Sequence, residues 1–213
     1  NNDAALTGSN TYKNLLGTAN TDWQDAIYQN AIGTDNNFSV AGTYKILPYR
    51  FSLGYLSQDG ILKTDHFNRF SSALNLSPRF LDNHLSVNVA AKFSRTGNTF
   101  ADGGAIGNAV TFDPTQPVYA NNKFGGYYEW LQGNGLPINL SNRNPLALLE
   151  LRDNTSNVNR FIGNVQLDYK LHFLPDVHVL LNVGMDRTHG EGNDNIDSLL
   201  ATNYVTGGRR SYY

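Results

Sequence analysis

The side chains best suited to binding a ligand lie together in a stretch rich in Gly, Asn and Pro, residues 95–159. They are aromatic, amide and guanidinium groups, which could stack on a sugar or hold a peptide: Tyr127, Tyr128, Trp130, Asn134 and Arg143. The alternative is that the aromatic rings form a small core within this loop or pack against a neighbouring loop. The sequence leaves both interpretations open. Loops of this length are often functional, so the stretch is the candidate substrate-binding region.

Patterns for metal binding and catalysis are weak. The histidines show no ligand spacing, so no metal site is predicted. One oxygen-rich segment could bind calcium but lacks the EF-hand spacing, so a solvated acidic loop is favoured; its residues are Asp186, Asn193, Asp194, Asn195 and Asp197. No serine sits in a G-x-S-x-G motif. The glycines after Asp102 follow no buried strand and open no convincing helix, which argues against a phosphate site. We therefore expect no catalytic residue and no cofactor.

Composition narrows the class of protein. The 213 residues are 40% hydrophobic and 16% charged, with a formal net charge of -2, whereas about 25% charged residues is usual for soluble domains. The near-neutral charge argues against a nucleic-acid partner. The chain has no cysteine, which excludes disulfide scaffolds and cysteine-based zinc sites. No run of about 18 apolar residues occurs, so a transmembrane helix is excluded. No signal peptide is visible at the polar start, which suggests processing or an internal piece of a longer protein.

The scaffold is predicted from six segments in which apolar and polar residues alternate. The clearest is 85–94, where Leu85, Val87 and Val89 alternate with Ser86 and Asn88. Such a period of two indicates strands with one apolar face. The six predicted strands are residues 38–44, 49–57, 67–77, 85–94, 161–171 and 177–187. Short helices are predicted at residues 22–31, with Thr21 or Asp22 as the cap, and at residues 145–151.

The connections between these strands alternate in length. Residues 45–48, 78–84 and 174–176 form short turns, while residues 58–65 and 95–159 form longer loops. Long strands with this rhythm are typical of an antiparallel transmembrane β-barrel with long extracellular loops. The alternatives are a secreted β-sandwich, either an adhesin or a carbohydrate-binding module, and an enzyme on a β-scaffold.

In the barrel interpretation, the apolar face of each strand meets outer-membrane lipid and the polar face lines the lumen. The candidate lumen-lining side chains are Arg50, Arg69, Asn75, Asn88, Lys92, Asp168 and Lys170. The short turns are then expected on the periplasmic side and the longer loops outside the cell.

Four segments resemble the SusC-like (SusC/RagA) branch of TonB-dependent outer-membrane transporters. Residues 20–28, beginning NTDWQD, resemble the segment that precedes the early barrel strands there. Residues 52–61, SLGYLSQDGI, resemble that family's strand-and-turn signature, although Asn and Glu are commoner there than Ser57 and Asp59. Residues 67–77 are similar to the next strand, and residues 144–147, NPLA, resemble a motif that closes the long loop. Their order and spacing make the match fairly specific.

The resemblance implies a barrel of about 22 strands closed by an N-terminal plug. It also implies partners: TonB, acting through the plug of the parent protein, and a SusD-like surface lipoprotein as the lid. The cargo would be an oligosaccharide or a peptide. The chain itself shows neither a plug nor a TonB-contacting segment, and we expect it to be a barrel fragment that does not fold alone.

The predicted organisation has five parts. Residues 1–37 form a loop and a short helical turn, residues 38–94 form barrel strands and hairpins, and residues 95–159 form the long extracellular loop. Residues 160–187 form a barrel hairpin, and residues 188–213 form a loop or the start of the next strand.

Overall fold

The computed structural model describes residues 16–213, so the loop predicted for residues 1–15 lies outside the described residues. Its main element is one antiparallel sheet in the order β1-β2-β3-β5-β6-β7-β8, with β4 paired to β5. This confirms the all-β prediction. The strands are β1 Gly33–Tyr44, β2 Leu47–Asp59, β3 His66–Leu76, β4 Arg79–Phe80, β5 Leu85–Thr99, β6 Arg152–Leu171, β7 Leu174–Ile196 and β8 Arg209–Tyr212.

Two of the short helices begin where the sequence predicts. Helix α1, Trp23–Ile27, is capped by Asp22, whose carboxylate accepts hydrogen bonds from the backbone N–H groups of Gln24 and Asp25. Helix α3, Pro145–Glu150, starts with proline and is capped by the Asn144 side chain. Asx caps and a proline in the first turn are the usual start of a helix.

Helix α2, Gly104–Thr111, corrects the expectation that the glycines after Asp102 open no helix. Two glycines within eight residues disfavour a helix by about 1 kcal/mol each. The Asp102 carboxylate accepts a hydrogen bond from the Gly104 N–H at 2.9 Å. Ala105 and Ala109 are buried in a cluster shared with α1 and α3. Tertiary packing therefore stabilises a helix that local propensity does not favour.

The connections follow the predicted alternation of length only in part, because the connection 77–84, predicted as a short turn, has eight residues and the connection 60–65, predicted as a longer loop, has six. Residues 45–46, 77–84 and 172–173 join strands at one end of the sheet, and residues 60–65 and 100–151 join them at the other. The three predicted short turns therefore lie at one end, and the loop 100–151, which carries both α2 and α3, lies at the opposite end.

Four strands extend further into the loop end than predicted. β1 already begins at Gly33, so residues 33–37 belong to a strand and not to the predicted loop, and β5 continues to Thr99. β6 already begins at Arg152, and β7 continues to Ile196. Backbone pairing persists through partners such as Thr99 with Thr155 and Asn154 with Asp194. The long loop is therefore residues 100–151 rather than 95–159, and residues 188–213 include the end of β7 and all of β8.

The register gives the sheet one apolar face. A cross-strand row on this face consists of Val40, Phe51, Leu74, Ala91, Gly163 and Met185. In β5 the apolar positions on this face run over residues 85–93, which matches the roughly 9–11 residues that a tilted strand needs to cross a bilayer. Beyond that stretch the same face becomes polar, with Arg95 in β5, Asn159 in β6 and His189 in β7.

A second region packs at the loop end. We call it the loop cap and define it as α1 with residues 100–151 and 197–208. Its interior is apolar, and its most deeply buried side chains include Ile27, Phe124 and Leu149. Trp23 packs on Phe112 with 4.5 Å between the ring centroids. Within residues 16–213, no helix is long and apolar enough to cross a membrane.

Candidate functional site

The seven candidate lumen-lining residues share the face opposite the apolar row. Arg50 pairs with Asn75, and Asn88 pairs with Gln166. Arg69 of β3 and Lys92 of β5 lie on this same face, as do Asp168 and Lys170 of β6. Because side chains alternate along a strand, the register places all seven on one side of the sheet. That this side lines a lumen stays a prediction.

Ion pairs on the polar face join β6 and β7. Arg160 donates to both carboxylate oxygens of Asp186, at 3.0 and 2.5 Å. His178 Nδ1 lies 2.7 Å from an oxygen of Asp168. Both pairs link diagonal cross-strand neighbours, and the Arg160–Asp186 pair is open to solvent, which screens its attraction.

Of the predicted aromatic ligands, Tyr127 is buried in the loop cap, while Tyr128 and Trp130 are half-buried and pack against its core. Tyr127 is 7% exposed, and its hydroxyl donates to the Glu150 carboxylate. Tyr128 meets Trp130 edge-on, with 5.4 Å between the centroids. Burial, together with the bond to Glu150, raises the pKa of Tyr127 and keeps the phenol neutral. This geometry favours the reading in which the rings pack the loop against itself, and contact with a cargo stays a prediction.

The other two predicted ligands have different surroundings. Asn134 is exposed, and its side-chain oxygen accepts a hydrogen bond from the Leu136 N–H at 3.0 Å. Arg143 turns inward, with a guanidinium nitrogen 3.7 Å from the carboxylate of Glu129. The five residues therefore form no common binding surface: Asn134 faces solvent, while Arg143 faces the interior of the loop cap.

A buried polar centre, made by Glu129 and Asn144, holds the loop cap together. Asn144 is fully buried, and its amide nitrogen donates to the carbonyls of Val118 and Tyr128 at 2.8 and 3.2 Å. Its backbone N–H donates to Glu129, whose side chain is 1% exposed. One asparagine thus ties three loop segments together while it also caps α3.

Burial sets the charge state of this centre. Loss of water around Glu129 raises its pKa to about 7, although the Asn144 N–H and Arg143 act in the opposite direction. The Asn-Pro pair at 144–145 could have signalled the capping role of Asn144. Nothing in the local sequence distinguishes Glu129 from an exposed loop carboxylate.

The oxygen-rich segment considered for calcium is dispersed. The Asp194 carboxylate is held by Arg152 at 2.8 Å and by Arg209 at 2.5 Å. Arg152 also reaches Asp102 of the loop cap, at 2.8 Å. Asn193 and Asn195 alternate with Asp194 and so lie on the other face of β7. In the described part of the chain, no group of three or more His, Asp or Glu side chains is placed to hold a metal ion.

The fold and the distribution of polarity define the class of protein. An antiparallel sheet with a polar face, an exposed apolar face of membrane-crossing length and long loops at one end is a segment of a large barrel. No family model matches the chain. The chain is 45% identical over 189 residues to the TonB-dependent receptor SusC of Bacteroides thetaiotaomicron, a match that covers 82% of this chain and 19% of that protein. It is 31% identical over 150 residues to the TonB-dependent receptor P26 of Formosa agariphila, covering 70% of this chain and 14% of that one.

Solved structures agree on the fold. The RagAB peptide importer in its closed-closed state matches with a TM-score of 0.59 and 17% identity, over 87% of this chain and 21% of the other. The open-open state of the same importer matches with a TM-score of 0.57 and 18% identity, over 83% of this chain and 19% of the other. The chain belongs to the SusC-like TonB-dependent receptors and corresponds to part of their barrel. It spans about a fifth or less of the length of the curated relatives it matches. Both curated relatives are named as TonB-dependent receptors, which agrees with the prediction of a transport component rather than an enzyme.

Proposed function

We propose that this chain forms part of the barrel wall and an external loop of an outer-membrane importer that takes up a glycan or peptide nutrient. The observation that carries the proposal is the exposed apolar face, which is continuous across β1, β2, β3, β5, β6 and β7. Phe38, Val183 and Met185 on this face are each more than half exposed. An apolar surface of this extent requires a lipid or protein partner.

The same proposal assigns the partners. TonB would supply the energy through a plug elsewhere in the parent protein, and a SusD-like lipoprotein would cover the loop end. The support is the relationship to TonB-dependent receptors and the two-component name of the RagAB importer. On this chain, the loop cap is the region placed to meet a lid, because it projects beyond the apolar stretch of the sheet.

Cysteine labelling of intact cells tests both location and orientation. This chain has no cysteine, so single cysteines introduced here add defined labels to the full-length receptor. A membrane-impermeant maleimide should label Asn134→Cys in the loop cap on intact cells. It should label Asp176→Cys, beside the short turn after β6, only once the outer membrane is permeabilised. Labelling of Asp176→Cys but not Asn134→Cys in intact cells would reverse the orientation.

Growth assays on defined nutrients test whether the parent protein is an importer and which class of nutrient it imports. Cells that lack the full-length gene should lose growth on one class of nutrient, oligosaccharide or peptide, and regain it with the intact gene. A plasmid copy without the partner lipoprotein gene should restore growth only in part. Unimpaired growth of the deletion strain on every oligosaccharide and peptide supplied would contradict the proposed import.

A further inference from the structure

The polar face contains a trough floored by small side chains. We call it the serine trough and define it by Ser39, Ser52, Gly54, Ser71, Ser94 and Lys92. Two adjacent cross-strand rows build it, with Ser52 paired to Ser39 in one row and Ser71 paired to Gly54 and Ser94 in the next. Its volume is about 480 Å³. Hydroxyl groups from four neighbouring strands therefore open into one depression.

Gly54 marks the point of closest approach in the serine trough. A Cβ atom there would lie 2.7 Å from the Ser71 hydroxyl oxygen and 2.8 Å from the Asn37 amide oxygen. The missing side chain lets polar groups from β1 and β3 converge over β2. Glycine within a strand often marks such a close approach.

Positive charge is concentrated around the serine trough. Within residues 16–213, Lys92 has no ion-pair or hydrogen-bond partner. Arg50 and Arg69 lie on the same face, two residues from Ser52 and Ser71, and they too lack an acidic partner in that part of the chain. Arg160, at the edge, is already held by Asp186. The whole chain carries a formal charge of -2, so this excess of cations is local.

Two phenylalanines, Phe38 and Phe93, border the serine trough. Because side chains alternate along a strand, their rings project from the apolar face, and the trough side offers no ring to stack on. Lys92 is exposed, its direct cross-strand neighbours are Ala73 and Ile162, and Ser71 and Ser94 lie in the adjacent row. An ammonium group next to such hydroxyls suits a carboxylate that accepts several hydrogen bonds. A sugar ring would find no aromatic face here, whereas an extended acidic peptide needs hydrogen-bond donors and a cation.

We propose that the serine trough binds a carboxylate side chain of an acidic peptide, with Lys92 as the charge partner and the serine hydroxyls as donors. This deepens the proposed function by selecting an anionic peptide as the ligand of the polar face, and it rests on that face being open to water.

Calorimetric titration of the full-length receptor in detergent tests this site apart from transport. The probes are hexaglutamate and its neutral counterpart, hexaglutamine, with trigalacturonate as an acidic sugar. Wild-type receptor should bind hexaglutamate at least about tenfold more tightly than hexaglutamine at low salt, and the difference should shrink as salt screens the charges. Lys92→Gln should weaken hexaglutamate binding by roughly tenfold or more, because hydrogen bonds to charged groups contribute more than neutral ones.

The matched control is Lys170→Gln, which removes the same charge from the same sheet face near the short turns. It should leave hexaglutamate binding unchanged. Ser71→Val, which fills the trough without altering its charge, should weaken binding and confirms the position of the site. Equal binding of hexaglutamate and hexaglutamine, tighter binding of trigalacturonate, or equal losses in Lys92→Gln and Lys170→Gln would each overturn the inference.

The experiments can contradict the binding site and the import function independently of each other. A receptor that binds hexaglutamate in detergent but supports no uptake in cells keeps the site and contradicts the importer. A receptor that imports nutrient but binds hexaglutamate no better than hexaglutamine keeps the importer and contradicts the site.

Discussion

The loop cap and the sheet place their apolar side chains in different surroundings. In the loop cap, Ile27 and Leu149 are at most 1% exposed and pack against side chains of the same chain. On the sheet, Leu181 and Val183 are more than half exposed and form a continuous surface with their cross-strand neighbours. Burial of apolar area contributes roughly 25 cal/mol per Å². The loop cap therefore supplies its own core, whereas the sheet depends on an apolar environment outside the chain.

The largest expected effect is in the core of the loop cap. Leu149→Ala should destabilise the cap by about 2–5 kcal/mol, because it leaves a cavity in a closed core. Leu181→Ala, on the exposed apolar face, should cost far less. Hydrogen exchange of the full-length receptor, followed by mass spectrometry, would report the opening of residues 100–151. Similar exchange in both variants would show that the cap and the sheet face do not differ in packing.

The apolar face is tested next by charge. Val89→Arg should lower the stability of the assembled receptor by about 2–4 kcal/mol if Val89 lies near the bilayer midplane. Asn88→Arg, on the polar face opposite Gln166, should assemble normally. The midpoint of guanidinium unfolding of the receptor in detergent measures both variants.

Val89→Trp separates lipid from a close-packed protein core. Lipid accepts a larger apolar ring, whereas a packed core would lose about 1–3 kcal/mol through overpacking. If Val89→Trp strongly destabilises the receptor while Asn88→Arg leaves its unfolding midpoint unchanged, the apolar face packs against protein instead of lipid.

Glu129 makes the stability of the loop cap depend on pH. Its folded pKa of about 7 lies above the ordinary value of 4.5, so the folded cap binds the extra proton between these values. Stability is therefore fully present below pH 4.5, falls as the pH rises through 7, and the loss reaches about 3 kcal/mol at most. Glu129→Gln should remove this dependence and protect the cap from exchange at pH 8, compared with wild type at the same pH. Less protection in Glu129→Gln than in wild type at pH 8 would contradict the buried-carboxyl account.

The smallest effects concern the arginines that join β6 to β7. Arg152 bonds to Asp102 and Asp194 where the cap meets the sheet, so Arg152→Gln should cost about 1–3 kcal/mol by leaving half-buried carboxylates without a partner. Arg160→Gln removes a solvent-exposed pair on the polar face and should produce no measurable change in the unfolding midpoint. If both variants shift the midpoint equally, burial does not distinguish the two pairs.

The sequence by itself determined the six main strands at membrane level, their apolar face and the one long connection between β5 and β6. A period of two is a local property, and the length of an apolar stretch can be counted. Asp22, one of the two predicted caps, marks the start of α1 for the same reason, since a capping side chain acts on backbone groups within three residues. The helix predicted at residues 145–151 was placed without its Asn144 cap. The seven polar candidates lie on one face because side chains alternate along each strand and the pairing register aligns the same face in neighbouring strands.

Only the tertiary structure decided the rest. The sequence predicts that the strands stop where the apolar alternation stops. In the structure β5, β6 and β7 continue toward the loop end, because their backbones remain hydrogen-bonded to one another beyond the apolar stretch. Helix α2 exists because Ala105 and Ala109 pack against two other helices, despite its glycines. The inward position of Tyr127 and the closed surroundings of Glu129 depend on segments far apart in the chain. Burial depends on how distant segments pack together, so it cannot be predicted from any single segment of the sequence.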